Sequence, residues 1–217
     1  LTSLIDAHEK REVVTVDIPG AFMHSDMDEL IHVRMEGEMA ELLARVDPGK
    51  YRKFMAYENG RPVIYVELTK ALYGTLQAAL LFWKNLSGYL IDELGFELNR
   101  YDSCVANKMI NGEQCTICWH VDDLKMSHVD GQVLEEIVMK LDEKYGTKDA
   151  PVTVHRGKVH DYLGMTIDFT TDGKVKFTMD DYIENFLEET PEEMEGTAAT
   201  PALANLFDVH DTAEKLD

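Results

Sequence analysis

The sequence contains only three cysteines, six prolines and no long apolar run. Cys104, Cys115 and Cys118 are an odd number without a repeated spacing, which is typical of a protein from a reducing compartment. Cys115 and Cys118 form a single C-x-x-C, and a zinc site needs more ligands than one pair supplies. We therefore interpret both as small apolar residues of a strand. Because no apolar run is long enough to span a bilayer, we predict no membrane-spanning helix and no membrane partner.

Basic residues are also scarce. The chain has 21 Lys and Arg against 41 Asp and Glu, which gives a formal net charge of −20. This balance argues against nucleic-acid binding, because phosphates are bound by Lys and Arg. The excess is uneven, since residues 180–217 hold 12 acidic residues and one basic residue. We predict an acidic C-terminal helix and tail over 180–217, separate from a larger domain over 1–179.

The first residues, Leu1-Thr2-Ser3-Leu4-Ile5, provide no initiator methionine, no basic segment and no apolar signal core. We interpret this start as lying inside a domain. The chain is therefore expected to be a fragment of a longer protein.

Local patterns predict strands and helices connected largely by hairpins. A run of β-formers ends near Asp17, and apolar residues at helical spacing mark helices over 78–94 and 133–145. Asn111-Gly112 predicts a tight hairpin, and a further hairpin is predicted from strands over 162–169 and 174–178. The mixture predicts an α+β fold, in which an antiparallel sheet carries helices on one face.

Acidic residues stand at the ends of two predicted strands. Asp17 closes the first, and Asp122-Asp123 lies between strands 115–121 and 124–128. If these strands are neighbours, the carboxylates converge and bind hard divalent cations such as Mg²⁺. Two such ions assist an in-line displacement at phosphorus. The alternative is an ordinary turn at Asp122-Asp123, since Asp is common in turns.

The segments around these acids resemble, in order, the motifs of copia-type retrotransposon reverse transcriptases. The matching segments are 16–22 (VDIPGAF), 72–79 (LYGTLQAA), 120–123 (HVDD), 162–167 (YLGMTI), 181–183 (DYI) and 200–202 (TPA). A single Asp-Asp pair is weak evidence, whereas six ordered matches across nearly the whole chain are strong evidence.

The resemblance implies a polymerase palm with partial fingers over 1–179, followed by a segment that leads toward a thumb and RNase H region. It implies an RNA-directed DNA polymerase that uses two Mg²⁺ ions, with Mn²⁺ as the alternative. The implied partners are an RNA template, a DNA primer, deoxynucleoside triphosphates and the rest of a polyprotein with integrase and RNase H. The implied location is the cytoplasm, within virus-like particles.

The resemblance also assigns roles to the acids and their neighbour. Asp17 and Asp122 bind both metal ions, and Asp123 supports the site. Ile18 lends its backbone carbonyl to one ion. His120 stands where the family usually has tyrosine, and it flanks the acids in a position to tune their charge.

Three further residues receive roles in the same way. Phe22 excludes a 2′ hydroxyl and so selects deoxynucleotides; the alternative is a core aromatic. Gln77 contacts the nucleotide through its amide; the alternative is a solvated residue at the start of a helix. Lys148 is the general acid near the pyrophosphate, with Lys158 as its rival, and a surface lysine is the alternative for either.

Some features depart from the family pattern. The second motif reads Leu76-Gln77-Ala78-Ala79-Leu80 and lacks the two positive charges usual there, and the fingers segment expected before Asp17 is absent. We therefore expect little polymerase activity from this chain alone. One alternative is a decayed or repurposed copy that acts as a non-catalytic acidic interaction module. A nucleotidyl cyclase is disfavoured, because its Gly-Gly-Asp/Glu-Glu-Phe box is not found.

Overall fold

The structure, a computed structural model, describes residues 1–190. The chain divides into two compact units, one of residues 1–179 and one that begins at Asp180. The α-helices of the first unit are α1 (Thr2–His8), α2 (Glu38–Val46), α3 (Pro48–Tyr51), α4 (Ala78–Gly88) and α5 (Gly131–Tyr145). Short 3₁₀ helices span Ala21–His24 and Arg52–Phe54, and a π-helical turn over Tyr89–Glu93 continues α4. Its strands are β1 (Glu12–Asp17), β2 (His32–Glu36), β3 (Ala56–Glu58), β4 (Arg61–Glu67), β5 (Glu97–Leu98), β6 (Val105–Ile110), β7 (Glu113–His120), β8 (Asp123–His128), β9 (Thr153–Arg156), β10 (Val159–Tyr162), β11 (Met165–Asp168) and β12 (Lys176–Thr178).

The second unit contributes α6 (Asp180–Glu189) to the described residues, and the 200–202 segment lies outside them. The helix predicted from Asp180 is therefore present. Within residues 1–190, none of the helices combines the length and apolar character needed to cross a bilayer.

The largest sheet has six strands in the order β5-β6-β7-β8-β1-β9, and every neighbouring pair is antiparallel. The predicted hairpin between β6 and β7 turns at Asn111 and Gly112, both in the left-handed region with φ of 53° and 85°. Such turns match the twist of the two strands that they join. The sheet confirms the predicted α+β fold with antiparallel strands.

The predicted helices α4 and α5 supply the apolar side chains that cover one face of this sheet. Side chains alternate between the faces of a strand, so every second residue of β1 and β8 enters the core. The fully or almost fully buried members are Val14, Val16, Leu124 and Met126 from the sheet, and Phe82, Leu86, Leu134 and Leu141 from the helices. The prediction of helices packed on one face is confirmed for these two.

The opposite face of the sheet is polar, and α1, which the sequence did not predict, contributes to its cover. Asp6 of α1 forms a buried ion pair with Lys125 of β8. Arg11, just before β1, donates to the Thr116 hydroxyl at 3.1 Å. These contacts fix α1 against the strand that begins at Asp123.

Two smaller sheets complete the first unit. One has the order β2-β4-β3, and its β3–β4 hairpin turns at Asn59-Gly60. The other has the order β10-β11-β12. The hairpin predicted from strands over 162–169 and 174–178 is present between β11 and β12. Its first strand begins later than predicted, because Leu163 and Gly164 both have positive φ and form a turn between β10 and β11.

Candidate active site

Asp17 and Asp123 face each other across two neighbouring strands of the main sheet. Asp17 ends β1 and Asp123 begins β8, and the antiparallel register pairs the two residues. Beyond this pair, the Ile18 backbone N–H donates to the carbonyl of Asp122 at 3.1 Å. The predicted neighbourhood of the two strands is present, so all three acids lie at one edge of the sheet.

A two-residue turn carries the chain from β7 to β8 and presents Asp122. Val121, the first residue of this turn, has φ of 56°, a conformation that β-branched residues rarely adopt. His120 and Asp123 pair on either side of the turn. Asp122-Asp123 is therefore part of a turn, as the alternative interpretation had it, but the turn is aligned with Asp17.

The pKa values of Asp17 and Asp123 are both raised, first by burial and then by neighbouring acids. Burial and the nearby Asp122 carboxylate raise the pKa of Asp17, and His155 of β9 acts in the opposite direction. The pKa of Asp123 is raised by burial, then by Asp122 and Asp17, and His120 lowers it. Negative charge is thus concentrated at the strand ends, and a bound cation would relieve the repulsion. His120 flanks the acids as predicted, whereas the sequence did not single out His155.

Tyr73 closes this group of acids from the segment before α4. Its hydroxyl donates to Oδ2 of Asp122 at 2.9 Å. Burial, the hydrogen bond to Asp122 and the charges of the three acids raise the pKa of Tyr73 to about 12. Sequence reasoning quoted Tyr73 within the second motif but assigned it no role. The signal was its place in that motif, four residues before Gln77.

Phe22 lies on the other side of Tyr73. It belongs to a short 3₁₀ helix over Ala21–His24, entered through Gly20 with φ of 60°. The two rings pack with centroids 4.2 Å apart, and Phe22 also packs edge-on against Phe82 of α4. Phe22 is 8% exposed and belongs to the main core. It is therefore a core aromatic that also packs against Tyr73. Tyr73 in turn borders the acidic edge, the strand ends that carry Asp17, Asp122 and Asp123.

The hairpin of β10 and β11 packs against the same acidic turn. The Tyr162 hydroxyl donates to the backbone carbonyl of Asp123 at 3.4 Å. His160 and the Thr15 hydroxyl are hydrogen-bonded at 3.4 Å in the interior. This hairpin, which contains the 162–167 segment of the resemblance, is thus anchored on the strands that carry Asp17 and Asp123.

A profile of the family described as reverse transcriptase (RNA-dependent DNA polymerase) matches residues 1–204. The chain belongs to this family. It is similar to the transposon Ty1-BR Gag-Pol polyprotein of Saccharomyces cerevisiae, with 26% identity over 182 residues, 83% of this chain and 9% of the polyprotein. It is also similar to the truncated transposon Ty1-A Gag-Pol polyprotein of that yeast, with 25% identity over 83% of this chain and 13% of that protein. The predicted copia-type family is confirmed, and the chain spans about a tenth of these relatives.

Two solved structures are similar to this chain over part of their length. One is the foamy viral protease-reverse transcriptase in complex with RNA/DNA hybrid, with a TM-score of 0.41, 15% identity, and coverage of 80% of this chain and 18% of that chain. The other is apo telomerase from Candida tropicalis, truncated from its C-terminal domain, with a TM-score of 0.42, 10% identity, and coverage of 81% and 38%.

Reverse transcriptases use divalent metal ions, and the donor set at the acidic edge suits such ions. Three carboxylates offer the hard oxygen ligands that Mg²⁺ prefers, and their mutual repulsion favours a cation. Within residues 1–190, no three His, Cys, Asp or Glu side chains are arranged to hold an ion as they stand. The three carboxylates therefore suit a divalent ion by their chemistry and by their place at adjoining strand ends.

The resemblance also assigned roles to Ile18 and Gln77. Ile18 is fully buried directly after Asp17. Gln77 precedes α4, and its side-chain oxygen has no hydrogen-bond partner among the described residues. Within residues 1–190, the Gln77 side chain forms no hydrogen bond with Asp17, Asp122 or Asp123.

The two candidate lysines lie in segments near opposite ends of β1. Lys158 forms an ion pair at 3.2 Å with Glu12, the first residue of β1, while Asp17 is the last. Lys148 lies in the loop between α5 and β9, and β9 then begins opposite Asp17. The topology therefore puts the loop of Lys148, and not Lys158, at the acidic end of the sheet.

Proposed function

We propose that this chain forms the catalytic palm, with part of the fingers, of an RNA-directed DNA polymerase encoded by a copia-type retrotransposon. The observation that carries the proposal is the pairing of Asp17 with Asp123 at the strand ends, with Asp122 in the adjoining turn. The family match over residues 1–204 supports it. The reaction is attack of a primer 3′ hydroxyl on the α-phosphate of a deoxynucleoside triphosphate.

In this proposal Asp17 and Asp122 would hold two Mg²⁺ ions, or Mn²⁺ in their place, and Asp123 would support them. Ile18 contributes its backbone carbonyl. When bound, the ions supply charge neutralisation at the transferring phosphate. The protein's own residues contribute mainly by positioning reactants and by electrostatic complementarity.

Three other residues have proposed roles around the nucleotide. Phe22 limits the space available to a 2′ substituent. Gln77, whose side-chain oxygen has no recorded partner, contacts the nucleotide through its amide. Lys148, in the loop at the acidic end, donates a proton to the leaving pyrophosphate.

The proposed partners are an RNA template, a DNA primer and the rest of the polyprotein, including integrase and RNase H. The proposed setting is the cytoplasm, within virus-like particles. Residues 1–179 hold 20 of the 21 basic residues together with 29 of the 41 acidic residues, so nearly all side chains that could contact phosphate belong to the first unit although its net charge is negative.

The experiment that tests this function compares carboxylate variants. In the longer natural protein that contains this segment, primer extension on an RNA template is measured with Mg²⁺. Asp122→Asn is expected to abolish extension with every nucleotide, since it removes a proposed metal ligand together with its charge. Asp28→Asn, at an exposed position outside the acidic edge, is the matched control and should retain activity. Equal activity of Asp122→Asn and the unmodified protein would refute the proposal.

A further inference from the structure

The hydrogen bond between Tyr73 and Asp122 has a consequence for cation binding, and it rests on the function proposed above. Tyr73 donates to Oδ2 of Asp122 at 2.9 Å, across 49 residues of sequence. Hydrogen bonds to an ionised acceptor are among the stronger ones in proteins. Asp122 is also the acid whose charge raises the proton affinity of both Asp17 and Asp123.

We propose that Tyr73 caps Asp122 in the metal-free protein and thereby weakens the binding of a divalent cation at the acidic edge. The reason is thermodynamic linkage. The phenol stabilises the free carboxylate, whose full negative charge is available to the donor. A carboxylate that shares its charge with a cation is a poorer acceptor, so the same bond is weaker in the metal-bound state. A contact that favours the free state necessarily lowers the affinity for the ion.

The surroundings of Tyr73 allow the cap to open without disturbing the core. Tyr73 is 58% exposed, and the hydrogen bond to Asp122 is the only one recorded for its side chain within the described residues. Gly74, which follows it, has φ of 93° and is exposed. The ring packs on Phe22, which is held in the core independently by Phe82. Movement of Tyr73 away from Asp122 therefore breaks this hydrogen bond and opens the ring contact with Phe22.

A second effect would have the opposite sign. Hydrogen bonds to a ligating carboxylate often orient it, and their removal then weakens metal binding. If Tyr73 acted mainly in this way, its hydroxyl would increase the affinity. The sign of the change on removing the hydroxyl therefore separates a cap from an orienting residue.

The test uses the 217-residue chain and Mn²⁺ alone as the probe, with bound and free ion measured by electron paramagnetic resonance. Tyr73→Phe keeps the ring on Phe22 and removes only the hydroxyl. It is expected to tighten Mn²⁺ binding by roughly three- to tenfold, which is the scale of a partly exposed hydrogen bond to a charged group. Tyr101→Phe, at a position that is 99% exposed, is the matched control and should leave the affinity unchanged.

Asp122→Asn and the double variant Asp122→Asn/Tyr73→Phe complete the cycle. With the carboxylate removed, the Tyr73 substitution should have no effect on the remaining affinity. Saturable binding that depends on Asp122 but is unchanged or weakened by Tyr73→Phe would overturn the cap while leaving the proposed function intact. Absence of saturable Mn²⁺ binding by the unmodified chain would overturn both. The Mn²⁺-induced rise in melting temperature gives an independent readout, and it should be larger for Tyr73→Phe.

Discussion

Lys125 of β8 and Asp6 of α1 form an ion pair inside the protein, with side chains only 3% and 1% exposed. The pair lies two residues along β8 from Asp123, on the same face of the strand. Breaking a buried pair leaves an uncompensated charge, whereas replacing both partners by apolar residues is often neutral. The pair therefore fixes α1 to the strand that begins at the acidic edge.

Lys125→Met is expected to lower the free energy of unfolding by about 3–5 kcal/mol, because it leaves the buried Asp6 carboxylate without its partner. The double variant Asp6→Leu/Lys125→Met should recover much of this loss. Both are measured by urea denaturation. The exposed pair Lys10 and Asp172 is the control, and Lys10→Met should change stability by no more than about 1 kcal/mol. A double variant as unstable as Lys125→Met would contradict this account.

Periodic patterns in the sequence predicted the helices and strands that build the core. The β-formers before Asp17 end at that residue in the structure, and the Asn111-Gly112 turn joins the predicted strands. These features are local, because side-chain period and turn chemistry act over a few residues. The position of the acids at strand ends was predictable for the same reason. The family resemblance identified the motifs that contain these acids and their order along the chain.

Contacts between distant residues were not predictable in this way. A hydrophobic pattern shows which face of a strand is buried, but it does not identify the partner of a polar residue on the other face. Lys125 and Asp6 are 119 positions apart, and a lysine is usually exposed, so nothing local indicated their burial. The bond from Tyr73 to Asp122 likewise depends on how the segment before α4 folds over the sheet.

His160 predicts a dependence of stability on pH. Its pKa is lowered, first by burial and then by the nearby charges of Lys125 and His155, while the Gly157 carbonyl and Asp161 act in the opposite direction. The unfolded state therefore binds a proton more readily than the folded state. Stability should be greatest above the ordinary histidine pKa of 6.5 and should decline as the pH falls through it.

The measurement is the free energy of unfolding at pH 7.5 and at pH 5.5. His160→Gln should reduce the difference between these two values. His8→Gln, at an exposed position of α1, is the matched control and should preserve the difference. An unchanged difference in His160→Gln would show that other groups account for the pH dependence.

Lys148 and Lys158 allow a paired test of the proton donor. In the longer natural protein, Lys148→Ala is expected to slow the chemical step of primer extension by about 10²-fold or more, the usual contribution of a general acid. Lys158→Ala should leave the rate unchanged, because Lys158 is engaged with Glu12 at the far end of β1. Single-turnover rates separate chemistry from product release. A larger loss in Lys158→Ala than in Lys148→Ala would reverse the assignment.

Phe22 is a core residue that is also proposed to select deoxynucleotides over ribonucleotides. Because it is buried in the core, Phe22→Ala would leave a cavity and cost about 3–5 kcal/mol of stability, which would obscure any effect on substrate choice. Phe22→Val removes the ring while filling more of the space. If the ring excludes a 2′ hydroxyl, this variant should incorporate ribonucleotides more readily relative to deoxynucleotides.

The expected shift in discrimination exceeds that of a single methylene contact, about 1–3 kcal/mol in a tolerant pocket, because the exclusion is steric. It is measured as the ratio of kcat/KM for a ribonucleotide and the matching deoxynucleotide in the longer natural protein. Phe96→Val, at a core position that is 2% exposed, controls for a general loss of packing. Since Tyr73 separates Phe22 from Asp122, a true gate requires that the ring contact between Phe22 and Tyr73 opens when nucleotide binds. An unchanged ratio in Phe22→Val, with activity retained, would leave Phe22 as an ordinary core aromatic and would move the search for the selective residue to Tyr73.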